Sequence, residues 1–341
     1  MKHWVIAVGL LFSLAGTGCA LQPSNDTLED QQNENKEVGR LTSVQFYVPS
    51  EEDNIISIID IVSSEVVGSI ETKEKPTIVA FTSTMREVVV ANQNSSSLSL
   101  FNTQTLNEEK EIPVGPLPHG IALAPNNDTV YVATVGDSFV DVVSLKEGKV
   151  VRQIDIGTGG KTNYVVLENQ LLFVTDYERH KLIVIDTETD EIVHEITTGE
   201  VPRVVQVIDD IIYVAASSTG ELQLFSTQNG ELITSITGVP GITDFVIKED
   251  QSQAIATSLE GNALYLIDLH SKEVISTIEN LTGAKHLAFN RLESRVYVTL
   301  SGTNEVQIVD LETFEIEKTI EVGAAPHGIK IKALPGGGGS C

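Results

Sequence analysis

The sequence is poor in the residues from which many reactive sites are built. Its 341 residues include two cysteines, Cys19 and Cys341, one tryptophan, Trp4, and two methionines. Between residues 20 and 340 there is no thiol, which excludes an internal disulfide, a cysteine nucleophile, a Cys-ligated iron–sulfur cluster and a c-type haem attachment. The lack of tryptophan beyond Trp4 weighs against the indole platforms used for glycans and for quinone-cofactor docking. Basic side chains are scarce as well: 22 Lys plus Arg stand against 48 Asp plus Glu, a formal charge of −26. Such a field repels nucleic acid and anionic headgroups, so no nucleic-acid partner is expected.

Reaction motifs are missing too. No Gly-x-Ser-x-Gly elbow, His-Glu-x-x-His pair, Cys-x-x-Cys pair or calcium-loop pattern occurs. Gly157-Thr158-Gly159-Gly160-Lys161-Thr162 resembles the end of a phosphate-binding loop, but Asp155 holds the earlier glycine position and a β-rich run follows. Without the aligned amides of a helix N-terminus the cradle fails, and the segment reads as a turn. The acidic runs Glu51-Glu52-Asp53, Glu108-Glu109 and Asp209-Asp210 read as solvated loop or turn charges.

The ends of the chain have their own character. Lys2 and His3 precede Trp4–Ala15, a mostly apolar stretch of 12 residues, short for a bilayer span. It runs into Ala15-Gly16-Thr17-Gly18-Cys19, which resembles a relaxed bacterial lipobox with Cys19 as the lipidated residue; Gly16 stands where Leu is usual. Residues 1–18 are therefore expected to be a lipoprotein-type signal peptide that takes the chain out of the cytoplasm. Removing them, with Lys2 as their only charge, leaves −27. Ala20–Leu41 is rich in Gln, Asn, Glu and Asp without hydrophobic periodicity. With Cys19 it is expected to form a disordered tether with a reach of roughly 25 Å, holding a lipid-anchored body off the membrane. Residues 333–341 close in glycines, Ser340 and Cys341 and read as an appended flexible tail.

Between tether and tail the sequence repeats. An apolar residue followed by a small β-former recurs at Tyr47-Val48, Val89-Val90, Tyr131-Val132, Phe173-Val174, Tyr213-Val214, Ile255-Ala256 and Tyr297-Val298, at steps of 42, 42, 42, 40, 42 and 42 residues. Asp60, Asn102, Ser144, Asp186, Ser226, Asp268 and Asp310 keep the same beat. Short β-branched runs with turn chemistry between them, at this period, imply an all-β, seven-bladed β-propeller with four antiparallel strands per blade over 42–332. The third repeat predicts strands at Gly120–Ala124, Thr129–Ala133, Phe139–Ser144 and Val150–Ile156. The body begins on a second-strand equivalent, Gln45–Val48, and ends on an unmatched first strand at 326–332. The C-terminal strand is therefore expected to complete the first blade and leave no open edge.

The unit Pro118-His119-Gly120-Ile121-Ala122-Leu123-Ala124-Pro125-Asn126-Asn127-Asp128-Thr129-Val130-Tyr131-Val132-Ala133-Thr134 strongly resembles the YVTN-repeat propellers of the YncE type. Arg295-Val296-Tyr297-Val298-Thr299 and Val306–Thr313 carry the same resemblance. It implies a seven-bladed propeller of the bacterial or archaeal envelope and no particular reaction, because related propellers serve reductases, dehydrogenases, lactonases and lyases alike.

In such folds the loops into the innermost strands share one mouth of the central channel. Aligning on the residue after each repeat's Pro, or after Gly160 and Ala284, nominates His327, Thr77, His119, Lys161, Arg203, Gly241 and Lys285. His119, Lys161, Arg203, Lys285 and His327 are the candidate ligand-binding residues, a polar crown for a small anion or carboxylate. A metal would need His119 and His327 together with helpers such as His286, or His180 with Asp176 or Glu178. Neutral surface histidines are the plainer reading, and no metal or cofactor is expected. The protein is thus expected to be a monomeric, lipid-anchored binding or scaffold module for a small anion or an envelope protein. The alternatives are a lactonase-, lyase- or oxidoreductase-like enzyme using a metal or cofactor at that mouth, and a structural protein bound through its blade rims.

Overall fold

The computed structural model describes residues 43–333; the signal segment, Cys19, the tether and the glycine tail lie outside the described residues. Within them, seven antiparallel sheets of four strands each follow one another around a ring. Blade 3 is typical: Pro118–Leu123 innermost, then Thr129–Thr134, Phe139–Ser144 and Lys149–Asp155 outermost, all within a residue or two of the expected spans. The innermost strands of blades 2 to 7 begin at Pro76, Pro118, Thr162, Pro202, Ile242 and Ala284, and each touches the next.

Burial explains why these strands lack simple alternation. Second strands such as Thr129–Thr134 are covered on both faces by neighbouring blades and carry β-branched or aromatic residues almost throughout. Outermost strands are mostly solvated and bury one residue near their end: Ile70, Ile112, Ile154, Ile196, Ile236 and Ile320, with a half-buried Ile278 at the same position in blade 6. Each interblade core is therefore one sheet's apolar face against the next.

Blade 1 closes the ring as expected. Lys330–Lys332 pairs with the first described strand through Gln45↔Lys332, Phe46↔Ile331 and Tyr47↔Lys330. The regular ladder is shorter than 326–332. It breaks over 327–329 and resumes as an isolated bridge between Pro326 and Ser50, with the His327 amide donating to the Pro49 carbonyl at 2.8 Å. The seam between blades 7 and 1 is packed by Phe46, Val48, Tyr297, Ile308 and Ile329, with the Phe46 and Tyr297 ring centroids 4.1 Å apart.

The same break recurs elsewhere and builds the mouth. Pairing between innermost and second strands skips residues after Pro76, Pro118, Thr162, Pro202, Ile242 and Ala284. Freed from the ladder, these residues are re-aimed, as bulges commonly do near functional sites. Close packing sets a further condition. A Cβ on Gly120 would lie 2.7 Å from the Tyr164 Cα, and one on Gly328 2.7 Å from the Thr77 carbonyl oxygen. The two Pro-His-Gly runs thus need glycine where the next blade's innermost backbone passes.

Candidate functional site

Strand register decides which side chains share the mouth. Val132 opposes Ile121, and the equivalent second-strand residues oppose Val79, Val165, Val205, Phe245 and Leu287. The residue two places earlier in each blade is Thr77, His119, Asn163, Arg203, Thr243 and Lys285, with His327 at the seam. Five of these seven are the residues the sequence alignment nominated; in the other two blades Asn163 and Thr243 replace Lys161 and Gly241. In blade 4 the approach loop is two residues longer and the following hairpin two residues shorter than in blade 3, and in blade 6 Pro240 stands two residues earlier than the other repeats' prolines.

One small cavity of about 50 Å³ is lined by His119, Asn163, Arg203, Thr243, Lys285 and His327, together with Tyr164, Val204, Leu259 and His286. Four of the five nominated residues meet there. Lys161 does not: it precedes the strand, and its ammonium stands 3.9 Å from Glu178. Thr77 is fully buried. A larger cavity of about 410 Å³ continues down the channel past Tyr164, Gln206, Asp244, His286 and Lys330.

The histidines are not on the surface. His286 and His327 are each 6% exposed, and His119 is half-buried. His119 Nε2 lies 3.0 Å from His327 Nε2, and the His286 ring stacks on His327 with centroids 4.8 Å apart. One ring nitrogen from each of the three lies within 4.8 Å of the others. His180 is elsewhere, its Nδ1 accepting from the Val201 amide, and Asp176 is buried against Arg179 and the Lys161 amide.

Each ring is held by its Nδ1. His119 Nδ1 faces the Asn163 carbonyl at 3.2 Å, His286 Nδ1 faces Asp244 Oδ2 at 2.7 Å, and His327 Nδ1 contacts Glu51 Oε1. Glu51 was read as a solvated loop charge, and the structure corrects this: the carboxylate also takes Lys285 Nζ at 2.6 Å and Lys75 Nζ at 3.5 Å. Burial pushes Glu51 upwards, but bonds and charge from His327 and Lys285 more than reverse this, holding it well below the usual carboxylate range. Burial, reinforced by the charges of Lys285 and Arg203, takes His119 down to about 3. His327 is likewise well below its ordinary value, from burial first and Lys285 second. Burial also lowers Lys285 and Arg203. Arg203 makes no ion pair among the described residues.

Residues 43–334 match the YNCE-like beta-propeller family. The chain belongs to that family. No curated protein matches it significantly. Among solved structures it is similar to a functionally unknown protein from Desulfotomaculum acetoxidans, with TM-score 0.74, 15% identity, and coverage of 86% of this chain and 99% of that one. It is also similar to the periplasmic gluconolactonase PpgL of Pseudomonas aeruginosa, with TM-score 0.73, 16% identity and coverage of 86% and 100%. A third is the dihydro-heme d1 dehydrogenase NirN in complex with DHE, with TM-score 0.66, 13% identity and coverage of 84% and 74%. At these identities the likeness to the three solved structures is one of fold.

Sequence reasoning missed Glu51, Asp244 and Asn163 and named His286 only as a helper. A signal existed. Glu51 directly follows a second strand, and its repeat equivalents are Gln93, Val135, Tyr177, Ser217, Leu259 and Ser301, so it is the only acidic residue at that phase.

Proposed function

We propose that this YncE-like protein is an envelope-anchored binding module whose mouth receives a small anion, or the carboxylate end of a larger ligand or protein partner. The observation that carries the reading is Arg203, a guanidinium lining the mouth cavity with no carboxylate on it among the described residues, while neighbouring Lys285 is engaged by Glu51. A guanidinium there supplies a planar fork of donors suited to a carboxylate or oxyanion. The 50 Å³ cavity is far below the several hundred Å³ usual for whole small-molecule sites, which suits a group of a few atoms. Lipidation at Cys19 and the tether after it would place this mouth outside the cytoplasmic membrane.

The test is thermal melting of the full chain with acetate, dicarboxylates, phosphate and sulfate at constant ionic strength. At least one anion should raise Tm saturably, and Arg203→Ala should abolish the rise; no anion-specific shift in the wild type sinks the reading. Membrane attachment is checked by detergent-phase partitioning, which Cys19→Ser should abolish.

One observation favours a second, catalytic reading: three imidazoles converge beneath the mouth. The gluconolactonase neighbour makes lactones the first substrates to try. Turnover lost in His119→Ala would support it, and no turnover with or without added divalent metal would dismiss it for that class.

A further inference from the structure

We propose that His119, His286 and His327 bind one divalent transition-metal ion, of zinc-like preference, at the floor of the mouth. The hydrogen bonds fix which nitrogen each ring offers. The three Nδ1 partners are the Asn163 carbonyl and the carboxylates of Asp244 and Glu51, and all three accept without donating. Each Nδ1 therefore carries the proton, and each neutral ring presents an Nε2 lone pair.

Two of those lone pairs face each other. His119 Nε2 and His327 Nε2 are 3.0 Å apart, a distance that holds only with an electrophile to share. His286 Nε2 has no hydrogen-bond partner among the described residues. A self-contained histidine cluster would satisfy these nitrogens with donors, and none is supplied.

The spacing suits a metal. Zinc–nitrogen bonds of about 2.0–2.1 Å in a tetrahedron put ligand nitrogens about 3.3 Å apart. The His119–His327 pair is already near that separation, and one ring nitrogen of His286 lies within 4.8 Å of one on each of the other two rings. Imidazole ligands whose second nitrogen is bound by a carboxylate or carbonyl are the usual surroundings of a protein-held transition metal. The ligands come from blades 1, 3 and 7, so a closed rigid ring positions them before any ion arrives. Glu51 and Asp244 place negative charge behind two of the rings, offsetting Lys285 and Arg203 on the mouth side. Three protein ligands leave a fourth position open. The anion suggested for the mouth would fill it, and in that respect the inference deepens the binding reading; the three-histidine site itself stands without that anion.

The full chain, stripped with a chelator and kept in a buffer free of carboxylate and phosphate, is titrated with Co²⁺ and followed by its visible absorption. One equivalent should give the intense bands of four- or five-coordinate cobalt, and one equivalent of Zn²⁺ should bleach them. His119→Ala and His286→Ala should each weaken binding at least about 100-fold, and Asp244→Asn, which keeps every ligand, by about 10–100-fold. Metal-free melting curves identify any variant that fails to fold, in which case Asp244→Asn decides. Absence of stoichiometric binding by the wild type at tens of micromolar overturns the inference, as does binding unchanged in folded histidine variants or in Asp244→Asn. A titrating His119–His327 pair with no cobalt spectrum would assign a shared proton to the site and overturn it equally. Because no mouth anion is present, failure here is separate from failure of the anion reading.

Discussion

Glu51 and His327, 276 residues apart, are hydrogen-bonded across the seam where the ring closes. One element therefore serves two ends. The segment that completes blade 1 also delivers a histidine to the mouth, and the loop after Gln45–Ser50 delivers the carboxylate that orients it. Integrity of the ring and assembly of the site are coupled through this pair.

Removing residues 326–332 should abolish more than a surface strand. It exposes the paired edge of Gln45–Ser50 and uncovers Phe46 and Tyr297 at the seam. The expected outcome is loss of the cooperative melt together with self-association in size-exclusion chromatography. Phe46→Ala, which keeps the strand, should cost about 3–5 kcal/mol in urea unfolding.

Glu51→Gln should destabilise the fold by on the order of 2 kcal/mol at neutral pH, because Lys285 and His327 lose their ionised partner. The sign with pH follows from linkage. The Glu51 carboxyl is held below its ordinary value of 4.5, so its contribution is full above that value and is lost as pH falls towards the folded one. Urea midpoints of wild type and Glu51→Gln should therefore converge as pH is lowered below about 4.5.

Gly120→Ala should destabilise by about 1–3 kcal/mol, since the added methyl meets backbone of the next blade and cannot be accommodated by a rotamer change. Gly328→Ala meets the Thr77 carbonyl and should behave alike. Because the Asn163 carbonyl that fixes His119 belongs to the same contact, a mouth-dependent signal should weaken along with Tm in Gly120→Ala.

Arg203→Ala and Lys161→Ala separate the observed register from the one read off the Pro residues. Arg203 lines the mouth cavity and Lys161 does not. Anion-induced stabilisation should vanish in the first and persist in the second, with both variants melting within about 1 kcal/mol of wild type in the absence of anion.

What could be read beforehand and what could not have distinct physical causes. Blade number, strand order and closure follow from a repeat whose core positions are set by packing, so Tyr-Val pairs and the outer-strand isoleucines keep phase even where loops vary. Lys161 was misplaced because in blade 4 the loop before the innermost strand is two residues longer and the hairpin after it two residues shorter than in blade 3 (Val165↔Val174 against Ile121↔Val132), so the unchanged 42-residue step from His119 lands two residues before Asn163. Glu51 looked like part of a solvated acidic run, since nothing in Glu51-Glu52-Asp53 shows that its first member faces inwards. The partnership of Asp244 with His286 is invisible locally because the two stand 42 residues apart on adjacent blades.

The most direct measurement is an anomalous difference map of crystals grown from chelator-stripped protein and soaked in Co²⁺, recorded at the cobalt edge. The predicted result is a single strong peak bounded by the Nε2 atoms of His119, His286 and His327, open towards Arg203. A map with no peak there, or with cobalt only on histidines outside the channel, would contradict a metal-holding mouth.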